Sequence, residues 1–62
     1  METAKQKLIE IEQMFDYEKN EFWKSYKIWT EIILHFNSHK RKSQQRIFWD
    51  EVLNEYHKKY TK

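Results

Sequence analysis

The sequence predicts an all-α fold without strands. The chain contains no Gly and no Pro, whereas a β-fold of this length needs several tight turns, which depend on residues that tolerate φ > 0. Large apolar residues recur in steps of three and four, the spacing of one helix face. The polar positions are rich in Glu, Lys and Gln, which are good helix formers.

At 62 residues the chain is read as a single helical domain over 1–62. It opens on Met1, as expected of a complete small chain. Chains this short bury only about 60% of their unfolded surface and are marginal alone, so they draw on disulfides, a metal or a partner chain. There is no Cys, which removes a disulfide framework and a thiolate zinc site. Helix packing or oligomerisation must supply the stability.

The first helix is expected over about 3–36. Thr3 is its N-cap, with Glu2 favourably placed on the helix dipole. The apolar series Leu8, Ile11, Phe15, Phe22, Tyr26, Trp29, Ile33, Phe36 follows. Leu8, Phe15, Phe22, Trp29 and Phe36 are seven apart throughout, and this heptad phase survives the polar gap Asp16–Asn20. One continuous helix, roughly 50 Å long at ~1.5 Å per residue, is therefore favoured. Asn37 and Ser38 are turn-forming residues and end it.

The second helix is expected over about 43–60, with Ser43 as N-cap. Its apolar face is Trp49, Val52, Leu53, Tyr56 and Tyr60, with Phe48 at the edge. Lys58, Lys59 and Lys62 suit its C-terminus. Folded back as a hairpin, this shorter helix leaves Leu8, Ile11 and Phe15 uncovered, forfeiting ~1.5–3 kcal/mol per large side chain. A homodimer in a four-helix arrangement would cover them, so these three are the expected dimer interface. The alternative is a monomeric three-helix bundle broken near residues 17–20.

The net charge of +2 hides an asymmetry. Residues 1–22 carry a net −3 and residues 39–49 a net +4. His39, Lys40, Arg41, Lys42 and Arg46 form a basic cluster that phosphate could neutralise, which makes nucleic acid a candidate partner. Asp50, Glu51 and Glu55 on the second helix oppose that reading. The aromatic content of 18% exceeds what a two-helix core needs. On a helical projection Trp23 and Leu34 fall beside the main stripe, and Tyr17 and Ile28 fall opposite it. Trp and Tyr are the usual anchors of protein interfaces, so Trp23, Ile28, Leu34 and Tyr17 are the candidate partner-binding residues.

Enzyme chemistry finds no support: there is no Cys nucleophile and no Gly-rich loop to cradle phosphate. Glu31, His35 and His39 are spaced by four, but Asn37-Ser38 is expected to end the helix before His39. No metal and no cofactor are therefore expected. Residues 1–15 lack the apolar core of a secretory signal. The longest aliphatic run is Ile32-Ile33-Leu34, far short of a membrane span. A cytoplasmic location, nuclear in a eukaryote, is expected, with no membrane partner. The expected function is non-enzymatic binding of another macromolecule, above all a protein, as a regulator, inhibitor or assembly factor. Chains of this kind are encoded by phages and mobile elements. Nucleic-acid binding through residues 39–46 is the alternative.

Overall fold

The computed structural model describes residues 2–60. Three helices follow one another: α1 (Ala4–Met14), α2 (Glu21–Ser38) and α3 (Gln44–Tyr60). They account for 78% of the described residues, among which there is no strand. α3 packs against both α1 and α2, while α1 and α2 touch each other little. The chain is a three-helix bundle, with principal extents of 35 × 23 × 21 Å.

α1 begins at a capping box. Thr3 Oγ1 accepts from the Gln6 N–H at 3.2 Å, and Gln6 Oε1 accepts from the Thr3 N–H at 2.9 Å. This reciprocal pair satisfies two backbone donors that a helix start otherwise leaves orphaned. At 11 residues α1 is too short to hold its shape alone. It persists because Leu8 and Ile11 are buried in the core.

The long first helix expected over 3–36 is not what forms. The polar gap that the heptad phase seemed to bridge is a linker. Phe15 caps the end of α1 and residues 15–17 turn. Asn20 then restarts the chain as the N-cap of α2, its Oδ1 accepting from the Trp23 N–H at 3.1 Å. Glu18 supports the cap by accepting from the Asn20 N–H at 3.2 Å. The physical reason is burial. A straight helix would leave Leu8 and Ile11 wet, whereas the break folds α1 back onto α3 and covers them. Leu8 and Ile11 are thus core residues rather than a dimer interface, and Phe15 is half-buried against the same core.

α3 starts where Ser43 predicts. The serine Oγ accepts from the Arg46 N–H at 3.1 Å, and Trp49 and Val52 point into the core. The interhelical turn has no glycine, so Lys42 takes the left-handed conformation itself, at φ 69°.

The core is Leu8, Ile11, Ile28, Ile32, Trp49 and Val52, flanked by half-buried Phe15, Phe36, Phe48, Leu53 and Tyr56. Ile28 and Ile32, not the heptad series, form the inner face of α2. Once the linker breaks the chain, α2 is free to rotate about its axis relative to α1. It then presents its narrow aliphatic side chains to the closely packed centre, where the size of contacting side chains sets how near the helix axes come. Two polar ties complete the packing. Tyr56 Oη donates to the Ser25 carbonyl at 3.1 Å. Glu12 on α1 receives both the Lys59 ammonium, at 2.7 Å, and the Tyr60 hydroxyl from α3. Burial, reinforced by the Glu12 carboxylate, pushes the Tyr60 phenol well above its ordinary range.

Candidate functional site

With Ile28 and Ile32 turned inward and Ile33 and Phe36 half-buried, the other large apolar residues of α2 face out. Phe22, Tyr26, Trp29 and Ile33 lie roughly 100–160° round the axis from Ile28, at about 100° per residue. Trp23 and Leu34 lie farther round on the same outer side. Phe22 is 72% exposed, Trp23 51%, Tyr26 53%, Trp29 37% and Leu34 63%. The rings form a continuous row. Phe22 meets Trp23 edge-on at 5.5 Å, Trp23 meets Tyr26 edge-on at 6.1 Å, and Tyr26 stacks on Trp29 at 6.4 Å. α2 is therefore apolar on both sides, a pattern that ordinarily belongs to a helix covered all round.

Tyr17, in the linker, extends the row sideways. Its ring lies 6.2 Å from Phe15, and the Lys27 ammonium sits 4.9 Å above it. Phe15, Tyr17, Tyr26, Lys27, Thr30 and Glu31 line a shallow depression of about 280 Å³ here. Of the four residues expected to bind a partner, Trp23, Tyr17 and Leu34 lie exposed on or beside this ridge. Ile28 does not: it is fully buried. Phe22, Tyr26 and Trp29, read as core from the sequence, are instead the ridge itself. α2 carries two apolar series at helical spacing, and periodicity alone does not say which one turns inward.

The two ends of the ridge differ in charge: acids and lysines balance at the N-terminal end, whereas the C-terminal end is basic. At the N-terminal end, the Asp16 carboxylate holds the Lys24 ammonium at 3.1 Å and Glu18 holds Lys27 at 2.8 Å, with Glu21 in the first turn of α2. The bond from Lys27, and then the Asn20 N–H, keep the Glu18 carboxyl below its ordinary range. At the C-terminal end, Lys40, Arg41 and Lys42 are exposed in the turn between α2 and α3, beside half-buried His39. These cations follow the C-terminus of α2, where the helix dipole favours positive charge. Arg46 is drawn aside, its guanidinium 4.2 Å from the centre of the Phe36 ring.

The Glu31, His35, His39 series does not come together. Glu31 Oε1 and His35 Nε2 meet at 3.0 Å, but the imidazole lies flat on Trp49 at 4.4 Å. His39 sits past the helix end in extended backbone. Among the described residues no group of three His, Cys, Asp or Glu is placed to hold a metal ion, and no helix is long and apolar enough to cross a membrane. No known protein family, characterised protein or solved structure matches this chain.

Proposed function

We propose that this chain is a small non-enzymatic interaction protein. It binds another protein through the outer face of α2, as a regulator, inhibitor or assembly factor. One observation carries this reading: four aromatic rings stand in contact in an exposed row, on a helix whose opposite face already fills the core. Isolated exposed apolar residues need no explanation, but a contiguous patch of this kind marks an interaction site. Trp and Tyr, two of each counting Tyr17, are the residues that most often anchor protein interfaces.

The test is capture from the producing cells, with and without nuclease, using three baits. These are the parent chain, Trp23→Ala, and the triple variant Lys40→Gln, Arg41→Gln, Lys42→Gln. A protein held by the parent and by the triple variant, but lost with Trp23→Ala, supports the reading. A truncated hot spot weakens binding by at least ~2 kcal/mol.

A second reading rests on the exposed triplet Lys40, Arg41, Lys42, none of which is bonded to a carboxylate among the described residues. These side chains, with His39 and Arg46, would bind nucleic-acid phosphates. Removing three such contacts would lower the log–log salt slope by roughly 2.7, at ~0.9 per contact on duplex DNA. A nuclease-sensitive capture lost only in the triple variant would establish this second reading over the first.

A further inference from the structure

The outer face of α2 has a repeat that limits what can cover it. Phe22, Tyr26, Trp29 and Ile33 are spaced by four, three and four. That is the knob pattern by which one helix packs along another. Within the chain the core forms on the Ile28–Ile32 side, while Phe22 edges Tyr60 of α3 and Ile33 is half-buried. Resting on the reading that this ridge is a protein-binding surface, we infer that its occupant is a second copy of the same chain, with the two α2 helices packed antiparallel about a two-fold axis between Tyr26 and Trp29.

Three features favour this occupant. The first is register. With the axis between Tyr26 and Trp29, each Tyr26 lies opposite Trp29 of the other copy and each Phe22 opposite Ile33. Every knob on one copy thus meets an apolar position on the other. A two-fold contact of this kind uses one patch twice and closes on itself, so it yields dimers and not fibres.

The second is charge. Parallel packing would set the basic turns of the two copies (Lys40, Arg41, Lys42) against each other. Antiparallel packing instead brings each turn beside the charge-balanced N-terminal end of the other ridge, where Asp16 and Glu18 are held by Lys24 and Lys27 and Glu21 lies in the first turn of α2. Charge placement of this kind fixes orientation and register more than it adds affinity.

The third is area. At 150–250 Å² per aromatic side chain, the exposed fractions of Phe22, Trp23, Tyr26 and Trp29 amount to roughly 400 Å² per copy. That is about half of the ~800 Å² per partner in a standard interface, before Ile33, Leu34 and the charged ends are counted.

The experiment is sedimentation of the full chain over a concentration series, with Tyr26→Glu as the disrupting variant and circular dichroism to verify its fold. Tyr26 is more than half exposed, so the charge is tolerated in the monomer. The parent is expected to dimerise. Tyr26→Glu should weaken the dimer at least about thirty-fold, the size of a hot-spot loss, at unchanged helicity. Orientation is read by oxidative cross-linking, since the chain has no cysteine of its own. A mixture of Phe22→Cys and Ile33→Cys chains should form the mixed disulfide in preference to either self-pair. A Phe22→Cys self-pair as the main product overturns the antiparallel arrangement. A dimer that survives Tyr26→Glu overturns the interface. A parent chain that stays monomeric at all concentrations overturns self-association, including the case in which it binds lipid vesicles instead. The broader reading fails separately: it falls if Trp23→Ala captures the same proteins from cells as the parent does.

Discussion

The two faces of α2 are both apolar and are built from different shapes. The inner one is aliphatic and narrow: Ile28 and Ile32 are fully buried, and with Val52 they occupy the centre where three helices meet. The outer one is aromatic and broad, with Phe22, Tyr26 and Trp29 in a row of ring contacts. Hydrophobicity does not distinguish them. What does is fit: the centre of a small bundle takes branched aliphatics and one large ring, Trp49, with four rings half-buried around it, and the rings of Phe22, Trp23, Tyr26 and Trp29 are left outside. A surplus of aromatic residues in a short helical chain thus reports on surface as much as on core.

The sharpest test of this contrast is a series of truncations across the helix, measured by urea unfolding in dilute solution. Ile32→Ala should destabilise the fold by about 2–5 kcal/mol, the range for emptying a buried aliphatic site. That is a large share of the stability of so small a domain. Trp29→Ala, at the flank, should lose about 1–2 kcal/mol, well short of the ~3–5 kcal/mol of a buried tryptophan. Phe22→Ala, on the outer face, should stay within about 0.5 kcal/mol. If Phe22 or Trp29 proves as sensitive as Ile32, the two faces have been assigned the wrong way round.

A smaller effect separates a broken helix from a continuous one. Asn20→Ala removes the cap from α2 and should lower stability by about 1 kcal/mol. In a continuous helix the same change would be stabilising, because alanine is the better interior residue. The sign of the shift in the unfolding midpoint is therefore diagnostic. It bears on the two faces directly, since only a break at this point lets α2 turn independently of α1.

How much of this was legible beforehand differs by element. The start of α1 at Thr3, the start of α3 at Ser43 and the inward face of Trp49 and Val52 follow from local signals: a capping threonine, a capping serine and a three–four spacing. The break at residues 15–20 was visible only as the weaker of two alternatives. The heptad phase of Leu8, Phe15 and Phe22 runs straight through it, and Asn20 reads equally as a cap or as one poor residue in a long helix. Burial of Leu8 and Ile11 against α3 decides the matter, and that is a non-local contact. Once the register across the gap is lost, the roles of Ile28 and Tyr26 exchange. Trp23, Tyr17 and Leu34 were reachable as surface residues because they fall off the stripe in either reading. Phe22, Tyr26 and Trp29 were not, because they define the stripe.

The absence of glycine predicts helices, yet it leaves the α2–α3 turn with a lysine in a left-handed conformation. A side chain with a Cβ disfavours that region by roughly 1–2 kcal/mol, partly offset by the unfolded-state freedom that glycine adds. Lys42→Gly should therefore raise stability by about 0.5–1 kcal/mol. Because the turn joins the C-terminal end of the ridge to α3, the change should leave both faces of α2 in place, with helicity unaltered. A loss of stability would mean that the lysine side chain contributes to the turn more than its backbone conformation takes away.

The smallest effect expected lies on the boundary between the two faces. Lys27 projects from the flank of α2, and its ammonium bonds the Glu18 carboxylate at 2.8 Å while sitting over the Tyr17 ring. That bond, with the Asn20 N–H, holds the Glu18 carboxyl below its ordinary value near 4.5. A carboxyl whose folded pKa is lowered binds its proton more readily in the unfolded chain. Its contribution is present above the ordinary carboxylate pKa and fades as pH falls through the lowered folded value. Stability should therefore decline on acidification below about pH 4.5, and Glu18→Gln should flatten that decline while leaving the unfolding curve near neutrality little changed. The pair is half-buried and still reached by solvent, so salt screens it in part and the difference between parent and variant should shrink at high ionic strength. An acid slope identical in the two proteins at low salt would show that the linker is not pinned to the flank of α2 by this bond. Tyr17 would then be free to leave the edge of the aromatic row.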